Sequence, residues 1–197
     1  MTVAKDKIAC LGWGSLIWDP RDFPCRGPWF DDGPLLPVEF ARESGGKEGE
    51  PGDRITLVIC PNVPSVRTCW ALLDVPDMSA AKRSLAAREG ITDPKMKAIG
   101  FWDGGSGERH GLEADTIAAW AERLGLSGAV WTNLQFGFKG KGKRNVMPGG
   151  PDVIEFLRKL DDEKRPVAEG YVRQAPAQID TPYRRLIEKE LGWFRRA

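Results

Sequence analysis

Residues 8–18 (IACLGWGSLIW) set the tightest limits on this chain. β-formers lead into two glycines, so an apolar strand must break between Gly12 and Ser15 and resume as a turn or a short helix. Asp19-Pro20 then closes the segment. The glycines let the backbone turn tightly and present successive N–H groups, a geometry that can cradle an anion. A dinucleotide-binding fingerprint is excluded, because GxGxxG would need glycine where Ile17 stands. Trp13 and Trp18 flank the turn, either as core residues or as walls of a site.

Downstream of this segment, strand and helix patterns follow in one continuous unit. Residues 21–37, rich in proline, glycine and aspartate, read as a long loop. Strands are expected at 37–42, 55–60 and 66–75, as antiparallel neighbours, with polar residues 43–53 as a hairpin-like connection. Residues 79–89 (SAAKRSLAARE) are helical, with Ser79 as N-cap and Gly90 as a left-handed stop. A strand is expected at 95–102 and a turn at 103–111. A helix follows at 115–125, capped by Asp115, with Ile117, Trp120 and Leu124 at helical spacing. A strand at 129–136 runs into a glycine and lysine tract. Pro151 opens a helix to residue 160, because a missing N–H costs nothing at a first helical position. Residues 167–173 read as a short strand. A last helix starts at Thr181-Pro182, with Leu186, Ile187 and Leu191 facing inward and Arg184, Arg185 and Lys189 solvated.

Composition removes several classes of function. A length of 197 residues with 41% hydrophobic content suits one domain with a sizeable core. Twenty-nine basic and 28 acidic residues leave a formal charge of +1, which gives no global field to attract nucleic acid or an anionic membrane. Apolar runs of about nine residues or fewer fall short of the roughly 20 that a membrane helix needs. The polar start lacks the apolar stretch of a secretory signal, so a cytoplasmic location is expected. Cys10, Cys25, Cys60 and Cys69 form no CxxC pair and read as reduced, mostly buried thiols. His110 is the single histidine and lies in a glycine-rich segment, where it reads as a loop residue. A metal site or a histidine-dependent nucleophile is therefore not expected, and no cofactor is.

Glu89 is the candidate for proton transfer. It closes the 79–89 helix, where the negative end of the macrodipole disfavours ionisation. Should its side chain also face a partly closed pocket, desolvation acts in the same direction and moves the carboxyl towards the range a general base needs. Arg88 projects about 100° away around the helix, so no compensating ion pair is expected on the same face. On its own, a glutamate in this position is an ordinary solvated surface residue.

A resemblance adds a second argument. The run GWGSLIWDP resembles the glycine-serine turn of the γ-glutamylcyclotransferase superfamily, above all its ChaC branch, with Trp13 where that motif has tyrosine. TCWALLDVPDMSAAKRSLAAREG is similar to that superfamily's strand followed by a helix ending in Glu-Gly, whose glutamate is the catalytic acid/base. That glutamate corresponds to Glu89. The motifs are about 75 residues apart, in the superfamily's order, and cover the first 90 or so residues. The resemblance implies a single α+β domain over residues 1–197, with a mixed sheet curled into a partial barrel and helices outside. It also implies a small γ-glutamyl substrate held by Gly12, Trp13, Gly14, Ser15 and Leu16, with release of 5-oxoproline and no metal or cofactor.

Two other readings compete. A non-enzymatic member of the fold would keep the pocket as a ligand-binding or interaction module. Residues 136–145 (FGFKGKGKRN), with two aromatics and four basic residues, could bind single-stranded nucleic acid. The same tract matches GxxxxGK, but Arg144 stands where a magnesium-binding hydroxyl belongs and Pro148 stops the required helix, so a phosphate-loop NTPase is rejected. A solvated hairpin tip is the simplest account of it, with a substrate-covering lid second.

Overall fold

A computed structural model describes residues 7–46 and 50–195. In chain order the elements are β1 (Ile8–Gly12), β2 (Cys25–Phe30), β3 (Leu35–Leu36), β4 (Val38–Ser44), β5 (Arg54–Ile59), β6 (Val66–Arg67) and β7 (Cys69–Leu73). They continue with α1 (Met78–Glu89), β8 (Ile99–Asp103), β9 (Arg109–His110), α2 (Ala114–Arg123), β10 (Gly128–Thr132), α3 (Gly150–Arg158), α4 (Arg165–Gln174) and α5 (Pro182–Leu191). The protein is α+β, and its strands and helices group into two compact units. Of the described residues, the first contains 7–12, 19–36 and 67–134; the second contains 13–18, 37–46, 50–66 and 135–195. None of the described helices is long and apolar enough to cross a membrane.

The first unit is built on a six-stranded mixed sheet in the order β2-β7-β1-β10-β8-β9. β1 runs parallel to β10, with Cys10 opposite Val130, and antiparallel to β7, with Cys10 opposite Ala71. The sheet is open, with β2 and β9 at its edges. Every residue of β1 is buried, which explains its unbroken apolar run: central strands lose the polar alternation of half-exposed ones. Helices α1 and α2 both pack on β8 and β10. Trp131 lies across the sheet over Gly100, its strand partner, so closely that a Cβ there would enter the indole. Glycine at position 100 is thus dictated by packing rather than by backbone conformation.

The second unit joins the antiparallel pair β4-β5 to α3, α4 and α5. Glu39 of β4, fully buried, reaches the first turn of α5. It accepts hydrogen bonds from Phe40 N (2.8 Å), Tyr183 N (3.2 Å) and the Thr181 hydroxyl. Thr181 Oγ1 in turn accepts from Arg184 N and so caps the helix. Burial raises the Glu39 carboxyl above its ordinary range, and the three donors oppose that rise.

Several expectations need correction. The 21–37 stretch contains β2, whose Cys25 and Phe30 register with Leu73 and Trp70 of β7, and Phe30 stacks on Trp70 at 4.6 Å. Pairing across the sheet overrode its loop-like composition, and a register shift accommodates Gly27 at φ 84°. The 66–75 stretch is interrupted at Thr68, and β7 joins β1 and β2 rather than β4 and β5. Residues 167–173 lie inside α4, not a strand: Pro166 sits in its first turn, and Ala168 and Val172, one turn apart, are its buried positions. Asp77, not Ser79, caps α1, accepting from Ala80 N at 2.7 Å, so the helix starts one residue earlier than expected. Glu113, not Asp115, is the N-cap of α2; Asp115 instead pairs with Arg109 at 2.7 Å. His110 lies in the short exposed strand β9 rather than in a loop. Arg184, expected in solvent, is 2% exposed and donates to the carbonyls of Ala175, Pro176 and Ile179.

Candidate functional site

The sequence of α1 places Glu89 at a well-defined end. Gly90 adopts φ 65° and its N–H returns to Ala86 and Ala87 O, which completes the left-handed stop expected of that glycine. Ala81, Leu85 and Ala86 are buried, and Glu89 lies one turn beyond Leu85. Its side chain is 19% exposed. Burial pushes the Glu89 carboxyl above the ordinary carboxylate range, while the charges of Arg88 and Arg21 pull it back. The Cys10 thiol of β1 lies close enough to feel Glu89: burial raises it first, then the charges of Cys25 and Glu89.

The expected separation of Arg88 from Glu89 does not hold. Arg88 Nη1 lies 3.6 Å from Glu89 Oε1, because the long side chain turns back to where both Nε and Nη2 donate to the Asp19 carbonyl. Nη2 also lies 3.7 Å from the Asp19 carboxylate, and the Arg88 side chain is only 6% exposed. Helical angles describe where Cβ atoms point, and a four-bond side chain can cancel 100° of rotation.

The glycine-serine turn has its own surroundings in the second unit. Trp13 is buried, and its indole N–H donates to Leu57 O at 3.2 Å. Leu16 is buried too, whereas Gly14 and Ser15 are partly exposed. Ile17 N donates to Gly14 O, closing the turn. Among the described residues, the N–H groups of Gly14, Ser15 and Leu16 donate to no backbone carbonyl. Gly12 ends β1 in the first unit, opposite Cys69.

Tyr171 of α4 is the residue that sequence reasoning missed. Its hydroxyl accepts from Leu57 N at 3.2 Å and stands where a Cβ on Gly14 would lie. The ring meets Trp18 edge-on at 5.3 Å and Phe40 at 6.3 Å. Gly14 is therefore required by a phenol against its backbone. No local signal marks Tyr171, since the stretch around it reads as strand and the contact spans 157 positions of sequence.

The lysine and glycine tract is tied down rather than a solvated tip. Arg144 donates to Gly137 O and Glu43 O, at 2.6 and 3.0 Å. Lys139 N donates to the Glu43 carboxylate at 2.7 Å, and its ammonium reaches Gly45 O. Glu43 also accepts from Gly52 N, and it is buried. Glu43, Lys139 and Arg144 border an open hollow of about 1060 Å³, with Lys143, Glu155 and Phe156 also on its walls. Two of the tract's cations are thus committed to backbone carbonyls.

Cys10, Cys60 and Cys69 are buried as expected, and Cys25 is half-buried. Burial pushes the Cys60 thiol up to about 12, so it carries no thiolate at neutral pH. No group of three metal-ligating side chains occurs among the described residues. Compared with models of known families, with curated proteins and with solved structures, the chain gives no match.

Proposed function

We propose that the protein is a γ-glutamyl cyclotransferase that releases 5-oxoproline from a γ-glutamyl amide, with a γ-glutamylcyclotransferase-like fold over the whole chain. The partial burial of the Glu89 carboxyl at the end of α1 carries this reading, because a fully solvated glutamate would be too weak a base. The Gly14–Leu16 N–H groups, which among the described residues donate to no backbone carbonyl, support a role in holding the glutamyl carboxylate or the developing oxyanion. The resemblance of GWGSLIWDP and AAREG to the superfamily's motifs supports it independently.

In the proposed reaction the substrate folds so that its α-amine attacks its own γ-carbonyl. A ring C–N bond forms, Glu89 takes the proton from the attacking nitrogen, and the proton passes to the departing amine as its C–N bond breaks. Because the nucleophile belongs to the substrate, positioning alone can supply about 7 kcal/mol. Gly12, Trp13, Gly14, Ser15 and Leu16 form the cradle in this scheme. Trp13 acts from behind the turn, since its N–H is already committed to Leu57 O.

Glu89 belongs to the first unit and Trp13–Leu16 to the second, so an assay that needs both in one reaction decides the reading. Incubation with glutathione, γ-glutamyl amino acids and γ-glutamylamines, with 5-oxoproline read by mass spectrometry, is that assay. Turnover of at least one class, abolished by Glu89→Gln in a folded protein, is the expected result. No turnover of any class, or turnover that survives Glu89→Gln, rejects it.

A further inference from the structure

The proposed reaction uses Glu89 and leaves a buried cation beside it without a role. The Arg88 guanidinium has almost no access to solvent, yet it answers two acidic side chains and one carbonyl. A buried arginine is costly unless its donors are satisfied, and the fork geometry of guanidinium suits a carbonyl and a carboxylate at once. Asp19 is exposed, with a side chain that is 51% accessible, so it does not need Arg88 for its own stability. Glu89 is the less exposed partner, with a side chain 19% accessible, and Arg88 Nη1 approaches it at 3.6 Å while the other nitrogens are fixed on Asp19 O.

We propose that Arg88 is a positioning residue: fastened to the Asp19 carbonyl, its guanidinium holds the Glu89 carboxylate in one place and supplies the opposite charge beside it. This inference rests on the assignment of Glu89 as acid/base but concerns a different residue and has a readout of its own. Among the described residues, the charged and titratable groups facing Glu89 are Arg88 on its own helix, Arg21 from the segment before β2, and the Cys10 thiol on β1. Of these, Arg88 is the stronger of the two cations that favour the ionised form. Its removal therefore leaves burial opposed by Arg21 alone, and the proton is held to higher pH.

The test uses the full chain labelled with [δ-¹³C]glutamate, in which the Glu89 signal is assigned by its loss in Glu89→Gln. In Arg88→Gln the titration midpoint of Glu89 moves to higher pH, and 5-oxoproline formation falls by about tenfold to a hundredfold with the acid limb of kcat displaced the same way. In Arg88→Lys, which keeps the charge but cannot span both partners, the midpoint stays near that of the parent while kcat falls. An unmoved midpoint in Arg88→Gln overturns the proposal, as does a lysine variant with the parent's kcat and KM. Should Arg88→Gln fail to fold, the lysine variant decides by itself. A parent protein that forms no 5-oxoproline rejects the functional reading alone, and the carboxyl titration still decides whether Arg88 holds Glu89.

Discussion

The hydroxyl of Tyr171 occupies the space where a side chain on Gly14 would begin. The phenol is fixed by Leu57 N on one side and by the rings of Trp18 and Phe40, so it has little freedom to retreat. Gly14→Ala is expected to destabilise the protein by about 1–3 kcal/mol, the usual cost of overpacking. Adding Tyr171→Phe to that variant recovers part of the loss, because it removes the clashing oxygen. Urea denaturation of the two single variants and the pair measures the coupling, and additive effects would falsify the contact.

Glu89 makes the activity depend on pH in a stated direction. Its carboxyl titrates above the ordinary carboxylate range, and a general base must be ionised, so kcat rises with pH through that raised value. Stability runs the opposite way. A folded-state value above the unfolded one means that the folded protein binds the proton more tightly, and stability is lost as pH rises between the two values. Glu89→Gln removes this loss. Its melting temperature should exceed the parent's at neutral pH and match it below the carboxylate range, as thermal melts at the two conditions would reveal.

Neighbouring arginines on α5 should behave differently. Arg184→Leu strips donors from the Ala175, Pro176 and Ile179 carbonyls and leaves Glu188 without its partner, a loss of about 3 kcal/mol or more. Arg185 pairs with Asp180 at an exposed position, so Arg185→Ala should leave the melting temperature unchanged. Calorimetry on both variants checks the contrast.

Among the described residues, Glu39 is held by three donors and meets no acceptor. Glu39→Gln replaces one carboxylate oxygen with an NH₂ group that must face a donor, which should cost about 1–3 kcal/mol despite equal size. Thr181→Ala removes both a partner of Glu39 and the cap of α5, and should cost about 1 kcal/mol. Denaturant midpoints for the two variants, and for the double variant, show whether the residues act as one network; independent effects would count against it.

Local rules made much of the architecture legible. The strand that ends at Gly12, the helix that ends at Gly90 in left-handed geometry, and the helix that begins after Thr181 all follow from residues at their own boundaries. Gly90 works because only its missing Cβ suits the stop, a fact of backbone geometry that needs no partner. The same is true of Glu89 as a candidate, since a motif and a helix end mark it.

Long-range packing decided the rest. β2 became a strand because β7 was there to pair with it, and α4 became a helix because it could bury Ala168 and Val172 in the second unit. Side chains that join distant segments left no local trace: Tyr171 against Gly14, Arg184 among three carbonyls, and Arg88 turned from its helical direction towards Asp19. Sequence alone determined where the backbone must turn or stop, because those choices depend on the conformational freedom of one or two residues. Only the tertiary structure decided which polar groups lose water and which partners they find, because desolvation depends on every segment that closes around them.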